Sequence, residues 1–144
     1  MILVSFQREA WEGYLRVNAM LADKLLPLIE PDDTLWIHDY HLLPFASELR
    51  KRGVNNRIGF FLHIPFPTPE IFNALPPHAE LLEQLCDYDL LGFQTESDRT
   101  AFSTALLCRL AYPTSAINAI RHGVRRSYRG LSDRDRSGRN YAQR

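Results

Sequence analysis

Cysteine is scarce in this chain of 144 residues: Cys86 and Cys108 are the only two, and no Cys-x-x-Cys spacing joins them. That excludes a disulfide framework and a cysteine-based zinc knuckle, and the expectation is two reduced thiols. Net charge is equally absent, with 17 basic against 17 acidic side chains. The whole-chain balance therefore offers no attraction to nucleic acid or to an acidic surface. No apolar run is long enough to span a membrane. The opening Ile2-Leu3-Val4-Ser5-Phe6 is too short for a secretory leader and lacks a basic segment before it. A soluble, cytoplasmic chain is expected. The 7 glycines are scattered, so there is no glycine-rich phosphate loop, and no internal repeat is present.

What the chain does have is apolar material: 45% hydrophobic and 11% aromatic residues, enough for a packed core. Trp11, Leu15, Asn18, Ala22, Leu25 and Ile29 recur at helical spacing, with Leu21 and Leu28 widening the stripe. They predict an amphipathic helix from about Glu9 to Ile29, kinked in its last turn by Pro27. Thr34-Leu35-Trp36-Ile37-His38 reads as a buried strand. A helix over Pro44 to Arg52, closed by Gly53, follows. Arg57 to Leu62 is the next strand, and Pro65, Pro67 and Pro69 then force an irregular loop. Thr68-Pro69-Glu70 opens helical material, interrupted at Pro76-Pro77, that runs to about Cys86. Asp89 to Phe93 is a third strand. Thr95 caps a last helix with the apolar face Phe102, Ala105, Leu106 and Leu110. Strands alternating with helices three times predict an α/β fold, a parallel sheet with helical crossovers.

In open parallel sheets ligands bind beyond the carboxyl ends of the strands. Here those ends carry His38-Asp39-Tyr40-His41, His63 to Pro67, and Gln94-Thr95-Glu96. Asp39 suits hydrogen bonds from sugar hydroxyls or a role as a base, and equally suits capping of the following helix. His63, where a strand meets a proline-stiffened loop, can donate to a hydroxyl or a developing charge; the alternative is a partly buried histidine bonded to a backbone carbonyl. His38 belongs to the strand and is expected to pack. His38 and His41 form a His-x-x-His pattern, but without a further ligand set it does not make a metal site, and none is expected. Trp11 and Trp36 read as core.

Several blocks resemble the trehalose-6-phosphate synthase family, glycosyltransferase family 20. They are Gly13 to Asn18, Trp36 to Pro44, Arg57 to Pro67, and Asp87 to Thr95, and the similarity runs from about Ser5 to Phe102. The resemblance implies part of the N-terminal domain of a GT-B fold, in which two Rossmann-like domains face each other across a cleft. It implies retaining transfer of glucose from UDP-glucose to glucose 6-phosphate, with no metal or cofactor in the chemistry. Asp39 matches the family aspartate that contacts glucose 6-phosphate. His63 matches the histidine beside the transferring glucose, and is the expected catalytic residue. A double-carboxylate glycosidase scheme does not fit, since no second carboxylate pairs with Asp39. Relative to the family, an N-terminal segment and the whole second domain are expected to be missing. With that domain go the arginine and lysine that neutralise the UDP phosphates, so activity of this chain alone is not expected.

The C-terminal segment departs from the family pattern. Residues 121–144 hold eight arginines and two aspartates, a net of +6, with no lysine or glutamate, which leaves residues 1–120 at −6. Reading the codons from Gly130 onward with a one-base shift permits Val-Tyr-Pro-Ile-Gly-Ile-Glu. That string resembles the family's approach to its second domain. The expected organisation is therefore a partial Rossmann-like acceptor-side domain over residues 1–110 and an arginine-rich, frameshifted, poorly packed tail over 111–144, with the shift between Phe102 and His122. Two other readings remain at this stage: a sugar-phosphate-binding module without turnover, and an α/β interaction domain whose arginine tail binds a polyanion. Loss of a first strand would leave sheet surface exposed and invite self-association.

Overall fold

The computed structural model describes the backbone of residues 6–110 and the side chains of residues 6–107. The expectations for the tail, Cys108 and Leu110 lie outside those residues. The element order is α1 (Arg8–Leu25), β1 (Thr34–His38), α2 (Phe45–Lys51), β2 (Arg57–Phe61), α3 (Pro69–Phe72), α4 (His78–Leu85), β3 (Leu90–Gly92) and α5 (Glu96–Leu110). A 3-10 turn over Leu26–Leu28 tightens the end of α1 where Pro27 sits, and a second one, Tyr40–Leu42, follows β1. Among the described residues no helix is long and apolar enough to cross a membrane.

The three strands are parallel and lie in the order β1-β2-β3. Sequence order thus equals spatial order, and right-handed crossovers then place the connecting helices on one face. Strand alternation turns Ile37, Ile58 and Phe60 towards those helices, where they meet Phe45, Leu49, Leu82 and Leu85 in the core. Burying a side chain such as Phe60 stabilises the fold by about 1.5–3 kcal/mol. α1 packs on α2, and α2 on α4.

The opposite face carries Trp36 and His38 from β1, Gly59 and Phe61 from β2, and Leu90 and Gly92 from β3. It is largely open: Trp36 is 47% exposed and Leu90 40%. Trp36 is thus not a core residue, because its strand position points it away from the helices. Its ring lies across Gly59, its register partner, so closely that a Cβ there would stand 2.1 Å from the ring.

Helix ends follow their local chemistry. Gly53, at φ 84, closes α2; its N–H donates to Arg50 O, and that of Val54 to Leu49 O. This paired pattern satisfies the last carbonyls of the helix. Thr95 opens α5 by accepting from Asp98 N–H, while the Asp98 carboxylate accepts from Thr95 N–H and Oγ1–H. Thr68 precedes α3 as expected, but its side chain makes no capping bond to the backbone. Leu21 and Leu28 face solvent instead of widening the buried stripe of α1, at 37% and 72% exposure. α2 is short, with 7 residues, and the face of α1 that it covers centres on Asn18 and Ala22.

Candidate active site at the carboxyl ends of the strands

Asp39 follows β1 directly and has φ 70 and ψ 163. That region is essentially reserved for glycine, and a side chain held there costs about 1–3 kcal/mol. Three bonds impose the conformation. Asp39 N–H donates to Phe61 O at 2.9 Å, Asp39 O accepts from Leu42 N–H at 3.1 Å, and Oδ1 accepts from Tyr40 N–H at 3.0 Å. Asp39 therefore caps the short turn after β1, as one of the two sequence readings had it. Its Oδ2 makes no hydrogen bond among the described residues. One carboxylate oxygen holds the loop and the other is available.

The loop that carries Asp39 is clamped from behind. Tyr14 on α1 donates its hydroxyl to Tyr40 O at 2.6 Å and accepts from Leu43 N–H at 3.2 Å. Asn18, fully buried one turn further on, donates to His41 O at 3.1 Å and to Tyr14 O at 3.0 Å. Tyr88 donates its hydroxyl to Leu42 O from the other side. Burial pushes both phenols well above their ordinary value of 10.0, so they stay protonated donors at any physiological pH.

His63 lies two residues beyond β2 and is exposed. Among the described residues its ring is not bonded to a backbone carbonyl. Its Nε2 lies 2.9 Å from Nδ1 of His38. His38 does not pack into the core either; it points along the open face towards His63. His41 instead stacks on Tyr40, with ring centroids 3.9 Å apart. The His38-x-x-His41 pattern thus splits between two environments. Among the described residues no three histidine, cysteine, aspartate or glutamate side chains gather as a metal ion would require.

The backbone around His63 is braced by the third strand end. Gln94 Nε2 donates to His63 O at 2.6 Å. Asp98, buried at the start of α5, accepts from Phe66 N–H at 3.0 Å through Oδ1. Phe66 in turn sits among Phe72, Phe93 and Phe102, with centroids 5.0–6.0 Å away. The sequence pointed to Gln94 only as a residue at a strand end, and to Thr95 as the cap of the last helix. Tyr14, Tyr88 and Asp98 as supports for the loops were missed, because their partners are backbone groups distant in sequence.

The site therefore consists of a carboxylate oxygen without a hydrogen bond among the described residues and a histidine pair at the ends of adjacent parallel strands: His38 closes β1, while Asp39 and His63 sit on braced loops. The model of glycosyltransferase family 20 matches residues 2–124. The chain belongs to glycosyltransferase family 20. It is 94% identical over 111 residues to the trehalose-6-phosphate synthase of Klebsiella pneumoniae subsp. pneumoniae, covering 76% of this chain and 23% of that relative. A solved Escherichia coli structure described as bound with UDP-2-fluoro glucose is similar at 82% identity and TM-score 0.71, over 72% of this chain and 23% of that one. A Burkholderia xenovorans alpha,alpha-trehalose-phosphate synthase (UDP-forming), in complex with glucose-6-phosphate, is similar at 56% identity and TM-score 0.70, over 73% of this chain and 23% of its own. The family member described here thus spans about a quarter of the length of the relatives it matches, 23% in the Klebsiella case.

Proposed function

We propose that this chain is the acceptor-side part of a trehalose-6-phosphate synthase, in which glucose passes from UDP-glucose to glucose 6-phosphate with retention, in trehalose biosynthesis. Asp39 binds glucose 6-phosphate, its Oδ2 accepting from a sugar hydroxyl. His63 meets the donor glucose at the mouth of the cleft and is the catalytic residue contributed by this chain. The observation that carries the reading is the bond from Asp39 N–H to Phe61 O, which sets the carboxylate beside the strand leading to His63. Both residues then stand at the sheet end where open parallel sheets take ligands. The ligands of the similar solved structures, UDP-2-fluoro glucose and glucose-6-phosphate, support the same pair of substrates.

The chain's share of the chemistry is positioning. Neutralisation of the UDP phosphates belongs to the family's second domain, and without it the departing nucleotide is not stabilised. The 144-residue chain alone is therefore expected to bind without turning over. Residues 1–110 form the acceptor-side domain. The arginine-rich tail assigned to residues 111–144 is frameshifted in its later part: the family match runs to residue 124, past the interval Phe102 to His122, so the shift lies at the end of that interval. In the encoding DNA, the family reading frame is predicted to continue across the shift in the register displaced by one base, and scrambled codons there contradict it. We place the chain in the cytoplasm. The open sheet face with Trp36 and Leu90 supports self-association of the isolated chain, which a concentration-independent sedimentation coefficient would contradict.

UDP release from UDP-glucose and glucose 6-phosphate tests the assignment, with His63→Ala as control. No release from the folded chain is expected. Release abolished by His63→Ala would show that the chain assembles a working cleft alone and overturn the expectation of inactivity. Release untouched by that substitution would remove His63 from the chemistry.

A further inference from the structure

We infer that His38 is a positioning residue for His63: it holds the His63 imidazole by Nε2 and leaves Nδ1 as the nitrogen offered to substrate. The two nitrogens, His38 Nδ1 and His63 Nε2, lie 2.9 Å apart, within hydrogen-bond range. Only one proton fits between them, so one neutral ring donates and the other accepts. If His38 donates, the proton of His63 resides on Nδ1. If His63 donates, its Nδ1 is a bare acceptor. Either way the bond turns a ring that would exchange tautomers freely into one with a single chemical character at Nδ1. A sugar hydroxyl, both donor and acceptor, suits either.

The arrangement follows from the register. His38 is paired with Phe61 across the parallel ladder, and His63 lies two residues further on, so all three project on the open face. Aromatic rings restrict the pair. Trp36 lies edge-on to His38 at 6.1 Å between centroids, and Phe61 lies 4.8 Å from His63. The backbone of His63 is held by Gln94 through the carbonyl. With the carbonyl and Nε2 both restrained, Nδ1 is the polar atom of the ring left without a hydrogen bond among the described residues. Orienting the ring before substrate arrives removes an ordering cost from the bound state.

The inference rests on the reading that His63 meets the donor sugar, but the two can fail separately. The test is a long-range proton–nitrogen correlation spectrum of the histidine rings in the 15N-labelled 144-residue chain, at a pH of about 8 where free imidazoles are neutral. The wild-type His63 should show two widely split ring-nitrogen shifts, the signature of one tautomer. His38→Ala should collapse that split towards the average of a freely exchanging ring. His38→Asn, whose amide can donate or accept near the position of Nδ1, should restore it. An averaged His63 in the wild type, or a split that survives His38→Ala, overturns the inference. His38 is exposed, so neither variant should unfold the chain, and unchanged core amide signals confirm this. UDP-glucose should displace the His63 signals in the wild type, less in His38→Ala, and fully again in His38→Asn. A locked His63 that ignores UDP-glucose separates the lock, which stands, from donor binding, to which the phosphate clamps of the family's second domain contribute; equal displacement in all three chains rejects the positioning role.

Discussion

The strained backbone of Asp39 makes a quantitative prediction. Asp39→Ala keeps the residue at φ 70 and ψ 163 and removes the Oδ1 acceptor of Tyr40 N–H. Loss of such a cap costs about 1 kcal/mol, and the strain of a side chain in that region remains. Asp39→Gly removes the same acceptor but releases about 1–3 kcal/mol of strain. Against that stands about 0.4–1 kcal/mol for the greater freedom of glycine in the unfolded chain. The glycine variant should therefore be more stable than the alanine variant by about 1 kcal/mol. For a domain of roughly 100 residues that is a Tm difference of about 4–8 °C. Thermal melts of the two variants followed by far-UV circular dichroism read this directly. An alanine variant that melts at or above the glycine variant would refute the argument, because it would show that the loop relaxes out of the strained conformation at little cost.

Other substitutions probe the supports. Gly59→Ala puts a Cβ against the Trp36 ring and should cost about 1–3 kcal/mol; in a Trp36→Ala background most of that penalty should vanish, as denaturant melts of the double-mutant cycle will measure. Phe66→Ala opens the aromatic cluster beside the His63 loop and should cost about 3–5 kcal/mol, with amide exchange rising first between His63 and Phe72. Burial pushes the Glu48 carboxyl up, but the Lys51 ammonium and Arg52 guanidinium outweigh it and hold the group below its ordinary 4.5. A depressed carboxyl stabilises fully above that value and loses its contribution as pH falls through the folded one. Glu48→Gln should thus flatten the stability profile below pH 4.5, in urea melts across that range.

Much of the fold was legible because periodicity and punctuation are local. The stripe through Asn18 and Ala22, the strand Thr34–His38, the closing Gly53 and the cap Thr95 all act within a turn of the chain. What was not legible depends on partners distant in sequence. Apolar Trp36 reads as core, yet its burial depends on which face the crossovers cover. His38 and His63 become neighbours only through the β1–β2 register. Asp39 was legible as a polar group at a strand end, whereas its left-handed backbone arises from bonds to Phe61, Leu42 and Tyr40 together. Asn18, the one polar member of the apolar stripe, proves to join α1 to the loop after β1.

The central claim is that the available oxygen of Asp39 receives glucose 6-phosphate. A titration of the 15N-labelled chain with glucose 6-phosphate, followed by its amide spectrum, tests it most directly. Saturable shifts centred on Asp39, Tyr40 and His41, lost in Asp39→Ala while the core signals stay in place, are predicted. A folded wild-type chain with no saturable shifts, or with shifts that persist unchanged in Asp39→Ala, would contradict it.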